Sequence, residues 1–89
     1  MIMLENFVRS QNAWNEIFGK APMAFPLTQD SINELARDID SQLSPENLMQ
    51  DGEAPVAAII NKRRYLNTVA AELEQYAQNA GLDIPSFYN

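Results

Sequence analysis

Apolar residues recur at helical intervals along most of the chain, and the breaks fall where glycine, proline and capping residues cluster. Leu4, Phe7, Val8, Trp14, Ile17 and Phe18 share one face, interrupted by Gln11, and predict an amphipathic helix over residues 3 to 18 that Gly19 ends. Pro22 and Pro26 prevent a helix through residues 19 to 27, so this stretch reads as an ordered connector whose Met23 and Phe25 pack inward. A second helix over residues 29 to 43 opens with Thr28 as cap, Asp30 at the positive end of the dipole, and Leu27 paired with Ile32 as a hydrophobic staple. Its core stripe is Ile32, Leu35, Ala36, Ile39 and Leu43.

Ser44-Pro45 repeats the helix-start signal and predicts a short turn over residues 45 to 50 that buries Leu48, stopped by Asp51-Gly52. A third helix runs from Pro55 without a breaker to Ala80, residues 55 to 80, where Gly81 and Leu82 predict a Schellman ending. At about 1.5 Å per residue it is about 39 Å long, against about 24 Å for either of the others. Its apolar stripe of Val56, Ile59, Ile60, Leu66, Val69, Ala70, Leu73, Tyr76 and Ala77 therefore overhangs the bundle and needs a cover. The aromatic tail over residues 82 to 89 is one candidate cover; a second copy or another protein is the other. Ile59, Leu66 and Leu73 recur every seven residues, a short stretch of the spacing used in left-handed helix pairing. The expected fold class is all-α: a small three-helix bundle with a long C-terminal helix and a short extra helical turn, residues 1 to 89 forming one domain. Its expected core is Phe7, Trp14, Phe18, Ile32, Leu35, Ile39, Ile59, Leu66, Val69 and Leu73.

Composition narrows the chemistry. A chain of 89 residues supports one thin core, and 46% hydrophobic with 20% charged residues is the balance of a folded protein. There is no histidine, no cysteine and only two lysines, Lys20 and Lys62, which removes most general bases, thiolate nucleophiles and soft metal ligands. No enzyme activity, catalytic residue, cofactor or metal site is expected. Asp38-Ile39-Asp40 resembles the opening of a calcium loop, but the glycine and glutamate that loop requires are missing, its twelfth position being Met49. No targeting segment is visible, no run of about 18 apolar residues predicts a membrane span, and a cytoplasmic protein is expected. The net charge of −6 argues against broad nucleic-acid binding, which relies on clustered cations.

Three blocks carry a resemblance: Ser44-Pro45-Glu46-Asn47-Leu48, Asp51-Gly52-Glu53 and Arg63-Arg64-Tyr65-Leu66. Together they span about a quarter of the chain and look like short uncharacterised helical proteins of bacteria and their phages. That resemblance implies a small, non-catalytic helical protein of a phage, mobile element or bacterial cell, and no residue-level function.

Half of the positive charge lies in Lys62-Arg63-Arg64. At about 100° per residue Arg63 falls on the line of Val56, Ile59, Ile60 and Ala70, and Arg64 on the polar face. Arg63 on that line is expected to be buried and paired with Asp40, Asp51 or Glu53, since an unpaired buried charge costs several kcal/mol; the other reading turns it toward a partner. The function expected is a small acidic regulatory or adaptor protein that binds a protein partner through the third helix and tail, at Arg63, Arg64, Tyr65, Tyr76, Phe87 and Tyr88. Two alternatives stand beside it: a self-assembling, homo-oligomeric virion component, and an acidic mimic of nucleic acid that blocks a DNA- or RNA-binding enzyme.

Overall fold

A computed structural model describes residues 2 to 48 and 56 to 84. The described residues form four helices: α1 (Ile2–Ile17), α2 (Gln29–Leu43), the single turn α3 (Pro45–Leu48) and the long α4 (Val56–Ala80). The chain is a small all-α bundle. Helix α4 is its spine, with α1 and α2 each packed along it and α3 bridging α2 to α4.

Local chemistry sets the boundaries. Thr28, extended in its backbone, accepts a hydrogen bond from the Ser31 amide at 3.2 Å, and the staple pair Leu27 and Ile32 is buried. Helix α4 ends in a Schellman motif: Gly81 has φ 70°, the Leu82 amide donates to the Ala77 carbonyl at 2.9 Å, and the Gly81 amide donates to Gln78 at 3.3 Å. Gly19, with φ 71°, ends α1 in the same way through Lys20 to Asn15 and Gly19 to Glu16 bonds. Leu82 then packs against the core.

The core comprises Leu4, Phe7 and Val8 of α1, Leu27, Ile32, Leu35, Ala36 and Ile39 around α2, and Leu66, Val69, Ala70, Leu73 and Ala77 of α4. Bonds from the Leu27 amide to the Tyr76 hydroxyl and between Gln29 and Asp83 put the start of α2 at the end of α4, so the two run antiparallel. Helix α1 also runs antiparallel to α4: Trp14 shares a groove with Tyr65 and with Gln42 at the end of α2, whereas Glu5 and Val8 share a cleft with Phe25, whose ring meets Tyr76. With α1 and α2 both antiparallel to α4, the chain must cross back between them, and the connector supplies the crossover by turning back along α1. Asn12 holds it, donating to the Met23 carbonyl at 2.8 Å and accepting from the Met23 amide at 2.7 Å. Met23 packs on the core as expected; Phe25 stays 44% exposed while its ring lies edge-on to Tyr76.

Trp14 and Phe18 correct the expected core: they are 58% and 68% exposed. After Val8 the positions of α1 that continue the buried line are Gln11, Asn12 and Asn15, all polar, so the late apolar residues point to its flank. Ile59 and Leu48 are half-buried rather than core. Met49 and Gln50, read as the end of the short turn, and Pro55 lie outside the described residues.

Candidate protein-docking site

Burial along α4 begins abruptly. Leu66, Val69, Ala70, Leu73 and Ala77 are buried, and no residue from Val56 to Tyr65 is. The cause is length: the 15 and 16 residues of α2 and α1 cannot cover the 25 of α4, so its first turns project past the core. Val56 and Ile60 are 72% and 44% exposed there. Helical register places Val56, Ile60, Arg63 and Asn67 on one stripe at steps of four and three residues, and all four are exposed.

Arg63 sits on that uncovered stripe at solvent, which overturns its expected burial. Its position on the apolar line was read correctly, but the line runs out of core before reaching it, so no desolvation has to be offset. Of its expected carboxylates, Asp51 and Glu53 lie outside the described residues. Lys62 and Arg64 are exposed as well, giving three adjacent cations beside two exposed aliphatic side chains.

The remaining predicted contacts divide. Tyr65 is half-buried with its ring centroid 6.5 Å from that of Phe7, and burial, then the Glu72 carboxylate, raises its phenol above the ordinary value. Tyr76 is taken up by the fold: its hydroxyl accepts from the Leu27 amide at 2.8 Å and its ring meets Phe25 at 5.7 Å, near perpendicular. Phe87 and Tyr88 lie outside the described residues. Among the described residues of that set, Arg63, Arg64 and the edge of Tyr65 therefore belong to one accessible region of α4.

Helix α1 contributes a second apolar surface that periodicity had assigned to the core. Trp14 and Phe18 stack with ring centroids 6.1 Å apart and planes 15° from parallel, one turn apart on the helix. Beside them opens a groove of about 220 Å³ lined by Phe7, Ser10, Gln11, Trp14, Gln42 and Tyr65. The polar Gln11 on the buried line of α1 was the sequence signal that this helix leaves the core early. Among the described residues no three carboxylates converge on a point, and no helix is long and apolar enough to cross a membrane. No protein-family model, curated protein or solved structure matches the chain.

Proposed function

We propose that this chain is a small, non-enzymatic adaptor or regulatory protein that binds an acidic protein partner through the projecting first half of α4. The observation that carries the reading is the exposure of Val56 and Ile60 beside Lys62, Arg63 and Arg64. An amphipathic helix with its own carboxylates suits such a surface: aliphatic side chains anchor it, and cations at the rim speed encounter and fix register. The net charge of −6 over the whole chain works against nucleic acid as the acidic partner. The resemblance of the Ser44 to Leu48, Asp51 to Glu53 and Arg63 to Leu66 blocks to short bacterial and phage proteins supports a setting in the bacterial or phage-infected cytoplasm.

The test compares partners captured by the natural chain with those captured by Arg63→Glu with Arg64→Glu, and by Val56→Ser with Ile60→Ser, each checked for unchanged melting. A partner held by the natural chain and lost by both double variants supports the reading. Equal capture by all three refutes it. Self-assembly is a second reading, favoured by the stacked and exposed Trp14 and Phe18.

A further inference from the structure

The flank of α1 carries a pattern separate from its buried face. Met3, Phe7, Ser10, Trp14 and Ile17 step alternately by four and three residues, the average 3.5-residue period of paired helices. Phe7 is buried against Tyr65, and the other four are exposed. The series is symmetric about Ser10: Met3 and Ile17 lie seven residues to either side, Phe7 and Trp14 three and four. An apolar seam with a small residue at its centre and matching ends is self-complementary when a second copy of the helix runs the opposite way.

The exposed area agrees with that arrangement. Met3, Trp14, Ile17 and Phe18 are 41%, 58%, 70% and 68% exposed. Taking about 150 to 250 Å² per large side chain, they leave on the order of 500 Å² of apolar surface per copy, so a pair removes about 1,000 Å², the lower bound of a specific interface.

The geometry points to a homodimer: two copies pair through the flanks of α1, antiparallel, with the two-fold axis passing at Ser10 and Ile17 of each copy against Met3 of the other. The dimer surface lies on α1 and the adaptor surface on α4, so each can fail without the other.

The absence of cysteine makes the test direct. In the full chain, Ser10→Cys is expected to form a covalent dimer on mild oxidation, because residues on the axis meet within disulfide range. Met3→Cys and Ile17→Cys are each expected to stay uncrosslinked alone and to crosslink when mixed. Light scattering of the natural chain is expected to give a dimer, and Trp14→Ser with Ile17→Ser, substitutions at exposed positions, to raise its dissociation constant by about a hundredfold or more while circular dichroism stays helical. A natural chain that remains monomeric at millimolar concentration overturns the proposal. So does a dimer in which Met3→Cys and Ile17→Cys each crosslink with themselves, or one that the Trp14 and Ile17 substitutions leave intact.

Discussion

Tyr76 illustrates how a single polar atom can commit a side chain to the fold. Its hydroxyl supplies the acceptor for the Leu27 amide at the entry to α2, while its ring supports Phe25. Tyr76→Phe keeps the ring and strands the amide, so it is expected to destabilise the chain by about 1 to 2 kcal/mol in denaturant melts. Asn12 does comparable work for the connector, and nothing in the hydrophobic pattern singled it out, because its partners are main-chain atoms eleven residues away. Arg63 was legible as a residue on the apolar line and illegible as an exposed one, since burial depends on where the neighbouring helices stop. Arg63→Ala is therefore expected to shift stability by less than about 0.5 kcal/mol. Asp38 behaves differently. Burial, then the Glu34 carboxylate, raises its pKa above the ordinary 3.8, against smaller opposite pulls from Lys20 and Arg37. The folded chain thus binds more protons than the unfolded one between the two values, and Asp38 costs stability above its folded pKa. Asp38→Asn is expected to stabilise the fold at pH 7 by on the order of a few tenths of a kcal/mol given its solvent exposure, with the gain fading as pH falls through the folded pKa and gone below the ordinary one.

Among the elements, α2 was the most legible because every local signal agreed: cap, staple, dipole charge and a continuous apolar stripe. Its cap gives a prediction of its own, Thr28→Ala costing about 1 kcal/mol in thermal or denaturant melts. The ending of α4 was equally clear, and its hydrogen bonds show that Leu82 and Asp83 serve the fold. Cutting the chain after Gly81 removes the Leu82 amide that bonds Ala77 and the Asp83 atoms that bond Gln29. Such a truncation is expected to lower the melting temperature, whereas ending after Ile84 leaves those bonds in place. Helix α1 misled the reading at one point: Trp14 and Phe18 satisfy a helical apolar period, but two apolar faces overlap on this helix, and periodicity alone cannot say which one meets the core.

For the whole molecule, relative length decided more than composition. The excess of α4 over its neighbours was readable from breakers and caps, and it correctly implied uncovered apolar surface. Which side chains would be left at solvent was not readable, because that depends on the antiparallel register of α1 and α2 against α4. Raising salt is expected to slow encounter with an acidic partner more than it loosens the bundle.

Helix α1 is held to the core by Leu4, Phe7 and Val8, all in its first half. Beyond them its turns keep their shape through main-chain bonds and the Asn12 clasp on Met23, with no fully buried side chain to resist opening. Amide hydrogens from Arg9 to Ile17 should consequently exchange with solvent faster than those of Leu66 to Ala77, by local opening rather than global unfolding. A ligand that clasps the Trp14 flank would slow that exchange, so deuterium uptake in these few turns offers a direct gauge of occupancy.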